Sequence, residues 1–224
     1  QRIEFVMRNS HVPVGFWRTV FHSNNPFFRE CFVDEMAHAA GKYPYAFRRP
    51  LLAGKPKDLG VLDAVARAAG WGTPLPAGVH RGIAVQESHG SYGAAVIEVS
   101  VSDTGELSIR RVLVALACGY VVNPDSAVAQ IQSCTAFGLS AALWGEIAVS
   151  NGRVEQTGFG DYRVMSLREM PSVEAVLASS GGFWGGTGET SLASLAPALA
   201  NAIFAATGKR IRSLPIGKQD LHKA

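Results

Sequence analysis

Residues 81–117 read RGIAVQESHGSYGAAVIEVSVSDTGELSIRRVLVALA. Apolar positions recur there with a period near two, which predicts strands over Gly82–Glu87, Ala94–Ser102 and Glu106–Ala117. Asp103-Thr104-Gly105 supplies a hairpin turn. On the N-terminal side the period is 3.6. A segment from near Asp58 buries Leu59, Leu62, Val65 and Ala69 and stops at Gly70. Asn25-Pro26 reads as a helix start, with Asn as the cap and Pro in the first turn. Phe28, Cys31, Phe32, Glu35, Met36 and Ala39 follow at helical spacing, and Gly41 ends that helix. Ile3, Phe5 and Met7 alternate within residues 1–12, the pattern of an edge strand. Trp71–Pro76 reads as a linker.

On the C-terminal side, Asn123-Pro124 opens a largely apolar helix over Ser126–Trp144. Asn151-Gly152, flanked by Ile147–Val149 and Arg153–Gln156, is a hairpin signal. Val173–Ala178 reads as a strand, and a last helix runs from Ser194 to Thr207, stopped by Gly208. Hairpins mixed with helices predict an α+β fold of antiparallel hairpins packed with helices, not a doubly wound sheet. Two parts are expected: a loop and helical segment over 1–76, and an α+β part over 77–224.

Of the 224 residues, 47% are hydrophobic, which excludes intrinsic disorder. Only 17% are charged, against about 25% in a typical soluble domain. Such a chain is expected to hide surface against another polypeptide. A net charge of +3, scattered along the sequence, does not point to nucleic acid. Cys31, Cys118 and Cys134 are an odd, sparse set without a CxxC pair, so they read as buried apolar residues. The six histidines show no HExxH spacing, so metal ligation by this chain's own side chains is not expected. The most apolar stretch, 192–207, is interrupted by Ser194, Pro197 and Asn201. The missing initiator Met admits a processed product or a fragment.

The candidate site lies in Ser179–Ser191, SSGGFWGGTGETS, with five glycines over residues 181–188 between a strand and a helix. Glycine lets backbone approach a ligand closely, and a helix start beyond it offers N–H groups to an anion. A buried Glu189 in such a loop would act as a general base; a solvated surface loop is the other reading of the same composition. Gln130, on an apolar helix with Ser133 and Cys134, is an amide that needs partners if buried. His22 and His89 lie in loops beside aromatics, for which surface placement is expected and pocket lining is the other reading. Gly186-x-Gly188-x-x-Ser191 is half of a dinucleotide fingerprint, with too little sequence after it for the strand and acidic residue that motif requires. No G-x-S-x-G elbow occurs.

Several blocks in order carry a resemblance: GFWRTVFHSNNPFFRECFVDEMAHAAGK, RGIAVQESHGSYGAAVIEVSV, VVNPDSAVAQI, FGLSAALWGEI, VEQTGFGDYRV and APALANAIFAATGKRIRSLPI. Together they resemble the C-terminal part of the molybdenum-cofactor-binding large subunit of the xanthine oxidase/aldehyde oxidase family, of the isoquinoline 1-oxidoreductase beta-subunit type. The resemblance implies the C-terminal part of a molybdopterin-binding domain, with residues 1–76 completing one cofactor-binding subdomain. It implies hydroxylation of an aldehyde or N-heteroaromatic substrate with water-derived oxygen. Gly186-Thr187-Gly188-Glu189 matches the family's G-x-G-E loop, whose Glu is the catalytic base. Gln130 matches a glutamine that contacts the pterin, and Trp17-Arg18 an aromatic-Arg loop that approaches the cofactor.

The implied cofactor is a molybdenum–pyranopterin, its dinucleotide form left open. The implied partners are the N-terminal part of the large subunit, a small [2Fe-2S] subunit, and a cytochrome or flavin electron acceptor. Two departures stand out. Thr190 replaces the family's Pro, and the AQIEGG block reads Ala129-Gln-Ile-Gln-Ser133-Cys134, without its glycines. A non-catalytic scaffold that keeps the fold without the cofactor is the alternative; a nucleotide-binding module is the third reading.

Overall fold

The computed structural model describes residues 4, 6–8, 11–178 and 181–223. Its centre is a four-stranded sheet. The strands are β1 (His80–Ser88), β2 (Ser91–Val101), β3 (Leu107–Ala117) and β6 (Ser172–Leu177). The first three pair antiparallel in sequence order, as the hairpin signals predict. β6 pairs with β3 in parallel, from Arg111 opposite Ser172 to Leu116 opposite Leu177. Residues 118–171 make the crossover that a parallel pair requires. They contain α4 (Pro124–Trp144) and a two-residue-strand hairpin, β4 (Val149–Ser150) with β5 (Arg153–Val154). The α+β class expected from the sequence is the class observed.

The other helices are α1 (Asn25–Ala39), α2 (Pro44–Leu51), α3 (Pro56–Ala68), α5 (Thr190–Ala193) and α6 (Leu195–Thr207). The central strands carry apolar residues on both faces, and both faces are covered. Ala95, Ile97, Val112, Val114 and Leu116 join Leu195, Leu199 and Ile203 of α6 in one core. Ala94, Val96, Leu113 and Ala115 join Val61, Leu62 and Val65 of α3 in a second. Gly82 is the closest point of helix and sheet: a Cβ there would lie 2.3 Å from the carbonyl of Ala198. The stretch Thr190–Thr207 has the length and apolar composition of a membrane span, but 78% of it is buried inside the protein.

Three sequence expectations change. The strand expected over 1–12 falls partly on residues 1–3, 5, 9 and 10, outside the described residues; residues 4, 6–8, 11 and 12 are in no strand. Helix α2 was not expected, since Pro44 and Pro50 bracket it; Pro44 occupies the tolerated first turn. Helix α1 forms, but starts at Asn25 without a side-chain cap bond. It also turns its aromatic stripe outward. Phe28 and Phe32 are 64% and 57% exposed, whereas Glu30 and Asp34 are buried. A buried and a half-buried arginine explain the inversion. Arg48 Nε donates to Glu30 Oε2 at 2.9 Å, and Arg210 Nη1 donates to Asp34 Oδ2 at 2.7 Å.

Candidate functional site

Three loops distant in sequence meet at one edge of the sheet: residues 15–20, the β1–β2 turn at His89-Gly90, and the glycine-rich loop before α5. The glycine-rich loop is seated by backbone contacts. Gly185 N–H donates to the carbonyl of Cys118 at 2.9 Å, and Tyr120 N–H to that of Phe183 at 3.1 Å. Ser91 Oγ donates to the carbonyl of Gly186 at 2.6 Å. A Cβ at Gly185 would lie 2.1 Å from Ser91 Oγ, so only glycine allows the loop to rest on the β1–β2 turn. Below the loop, Thr190 Oγ1 donates to the carbonyl of Ser88 at 3.0 Å and anchors the start of α5.

Arg18 ties the first loop to the other two parts of the site. Its Nε donates to the carbonyl of Gly188 at 2.7 Å, Nη1 to Ser133 Oγ at 2.8 Å and Nη2 to Gln130 Oε1 at 3.0 Å. Beside it, Thr19 N–H donates to Glu189 Oε1 at 2.9 Å, and Thr19 Oγ1 to the Glu189 carbonyl at 3.1 Å. The other carboxylate oxygen of Glu189, Oε2, stands 3.0 Å from His89 Nε2. His22 meets the His89 ring edge-on, with centroids 5.2 Å apart. Burial, then the charge of His89, lower the pKa of His22 from its ordinary value.

The backbone here is strained. Thr19, Val20 and His89 have φ of 80°, 52° and 51°, and Val20 is β-branched. Each such residue costs of order 1–3 kcal/mol and concentrates at sites that need a fixed geometry.

Residues 65–171 match the family described as the molybdopterin cofactor-binding domain. The isoquinoline 1-oxidoreductase subunit beta of Brevundimonas diminuta is 29% identical over 220 residues, covering 96% of this chain and 28% of that protein. The aldehyde oxidoreductase molybdenum-binding subunit PaoC of Escherichia coli K12 is 33% identical over 135 residues, covering 56% of this chain and 18% of that one. Residues 65–171 thus match a molybdopterin cofactor-binding domain, and the chain is similar to molybdenum-cofactor-binding subunits of the xanthine oxidase/aldehyde oxidase family. The crystal structure of quinoline 2-oxidoreductase from Pseudomonas putida 86 shares the fold, with a TM-score of 0.52 at 20% identity over 56% of this chain and 17% of that one. The chain therefore spans under a third of the length of these relatives.

The site offers open space beside its backbone and donors that the described residues leave unused. Gly186 has no atom within 4 Å of a built Cβ, and its φ is not left-handed; Gly188 meets only Gln130 Oε1, at 3.5 Å. Neither the fold's packing nor its backbone conformation demands glycine at 186. The open space at Gly186 is one that a side chain would fill. Arg18 spends three of its five N–H donors on the protein, and Gln130 spends only its oxygen among the described residues. A polar, phosphate-bearing group suits that donor set.

The residues singled out in the sequence are only partly brought together. Gln130, Gly188, Arg18 and Glu189 converge, and Gly186 and Thr187 lie on the same loop. Trp17 instead lines a pocket of about 390 Å³ with Phe16, Val20 and Phe21. Gln130 is exposed, not buried, and it satisfies its oxygen with Arg18. Glu189 is not buried either; its side chain is 37% exposed. Ser133 and Cys134, which replace the family's glycines, both contact the loop structure: Ser133 through Arg18, and Cys134 through a 3.4 Å contact of Sγ to the Gly188 carbonyl. Thr19 was missed, and the surface placement expected for His89 gives way to a position 3.0 Å from Glu189. Ser88-His89-Gly90-Ser91 carried a signal, since a two-residue hairpin with left-handed positions favours Asn-Gly. A histidine in that first position marks a side chain wanted for something else.

Proposed function

We propose that this chain forms the C-terminal part of the large subunit of a molybdenum hydroxylase. Its substrate would be an aldehyde or an N-heteroaromatic compound, with oxygen derived from water. Glu189 is the general base in this reading. The observation that carries it is the convergence of Arg18 and Thr19 on Gly188-Glu189, across 170 residues of sequence, beside the open space at Gly186. The relatives' names, an isoquinoline oxidoreductase and an aldehyde oxidoreductase, support the substrate class.

Arg18, with Gln130, would hold the polar edge of the pterin through its remaining N–H donors. Gly186, Thr187 and Gly188 would let backbone lie against it, and Trp17 would flank the approach. When bound, the cofactor supplies the two-electron redox chemistry that side chains lack. Thr19 N–H fixes Oε1 of Glu189, which leaves the carboxylate oriented to take a proton from the water-derived nucleophile. Residues 1–76 would complete one cofactor-binding subdomain and residues 77–224 carry the base. The N-terminal part of the large subunit would close the site. A [2Fe-2S] subunit would take the electrons and pass them to a cytochrome or flavin acceptor.

Glu189→Gln in the assembled enzyme tests the role of the base. Turnover is expected to fall by about 10²–10⁴-fold with molybdenum content unchanged. Wild-type turnover in that variant would refute it. The scaffold reading keeps one observation in its favour: Ser133 and Cys134 stand where the family has glycines. Elemental analysis of the natively purified complex separates the two readings, since a scaffold carries no molybdenum.

A further inference from the structure

The histidine at the tip of the β1–β2 hairpin has no role in the reading above. Its position is built at some cost. His89 and Gly90 both have left-handed φ, 51° and 74°, between the paired Ser88 and Ser91. This is the two-residue turn in which Asn-Gly is preferred. A histidine gives up that preference. The turn is fastened to the glycine-rich loop on both sides of the ring, through Ser91 Oγ to the Gly186 carbonyl and Gly186 N–H to the His89 carbonyl at 3.5 Å.

Behind the His89 ring lies His22, which meets it edge-on and is itself fixed by its neighbours. Gln86 Oε1 accepts from Arg29 Nη2 at 2.6 Å, so Gln86 Nε2 is the atom that faces His22. That nitrogen lies 2.8 Å from His22 Nδ1 and donates to it. An accepting Nδ1 carries no proton, so His22 is a neutral ring with its hydrogen on Nε2. Glu87 and Glu189 act on the charge of His22 in one sense and Arg29 in the other. Glu189 is held at Oε1 by a hydrogen bond from Thr19 N–H, and its Oε2 faces His89 Nε2 across an ion-pair contact of 3.0 Å. Its side chain is 37% exposed, so packing alone does not fix the carboxylate.

We propose that His89 is a positioning residue for Glu189: its Nε2 pairs with Oε2 at 3.0 Å and, with Thr19 N–H on Oε1, confines the carboxylate to one orientation. This rests on the reading of Glu189 as the base. No proton need leave the ring; its work is to remove the rotational freedom of an exposed side chain before reaction.

The test uses His89→Asn and His89→Gln. Asn suits the left-handed turn better than His but is too short to reach Oε2; Gln is longer and keeps an N–H donor. In the ligand-free full chain, His89→Asn is expected to unfold at the same or higher urea concentration than wild type. Its Thr19 amide hydrogen should nonetheless exchange about tenfold faster, because the acceptor swings free, while in His89→Gln it should keep most of its protection. In the assembled enzyme, kcat should fall about tenfold in His89→Asn and recover in His89→Gln. Unchanged Thr19 exchange in His89→Asn, or unchanged kcat, overturns the proposal. If Glu189→Gln retains turnover, the base reading fails instead, and the two failures are told apart by that variant.

Discussion

Thr19 holds both ends of Glu189: its N–H donates to the side-chain oxygen Oε1 at 2.9 Å, and its Oγ1 donates to the main-chain carbonyl at 3.1 Å. It does so from a fully buried, left-handed backbone with φ of 80°. The two effects oppose one another and can be separated. Thr19→Ala keeps the strain and loses the Oγ1 bond, and should destabilise the chain by about 1 kcal/mol. Thr19→Gly loses the same bond but relieves about 1–2 kcal/mol of left-handed strain, against about 0.5–1 kcal/mol of added backbone entropy. It should unfold close to wild type. Urea titration of the three chains checks the order; an alanine variant as stable as wild type would leave the Oγ1 bond without energetic weight.

The two neighbouring glycines of the loop make a sharper contrast. A Cβ at Gly185 would lie 2.1 Å from Ser91 Oγ and 2.6 Å from the Gly90 carbonyl, whereas none lies within 4 Å at Gly186. Gly185→Ala should cost about 1–3 kcal/mol or more, as overpacking against backbone does. Gly186→Ala should alter stability by no more than about 0.5 kcal/mol. If the space at 186 belongs to the cofactor, that silent variant should purify with reduced molybdenum. Full molybdenum in Gly186→Ala would place the cofactor elsewhere.

Cys31, Cys118 and Cys134 are all buried free thiols. Burial pushes the Cys31 thiol from its ordinary 9.0 up to about 12 and raises the other two. A thiol reagent at pH 8 should therefore find no group in the native chain and three after denaturation. Linkage follows with a definite sign. The folded state keeps the Cys31 proton when the unfolded state has lost it, so its contribution is complete below about pH 9 and is lost as pH rises towards 12. Stability should fall through that window, and a Cys31→Ala chain should fall less steeply.

The sheet was legible because its code is local. The strands at 82–117 announce themselves by alternation and by turn residues, and the helix at 56–68 by its 3.6 period. The glycine-rich loop was legible by composition. What could not be read were relations across distance. Nothing near Arg18 in sequence says that its three donors go to Gly188, Ser133 and Gln130. Nothing near Glu35 or Phe32 says which face of α1 meets the core, because the partners that bury Glu30 and Asp34 sit at 48 and 210. Periodicity locates a helix; it does not choose between an apolar face and an acidic face when both recur at i and i+4.

That choice is itself testable. Glu30 sits in a network that a single cut should wreck. Arg48, 1% exposed, donates from Nε to Glu30 Oε2 at 2.9 Å, and Val85 N–H donates to the same oxygen at 3.1 Å. Glu30→Ala leaves the buried Arg48 guanidinium with Asp34, 3.7 Å away, as its remaining carboxylate, and should cost about 3 kcal/mol. Replacing both partners, Glu30→Met with Arg48→Met, should recover most of that loss, since an apolar pair of similar volume avoids the desolvation cost of the ions. Phe28→Ser with Phe32→Ser should change stability by about 0.5 kcal/mol or less, because both rings already face water. Urea unfolding of the three variants decides which face of α1 carries the fold. A phenylalanine pair more costly than Glu30→Ala would reverse the orientation of the helix.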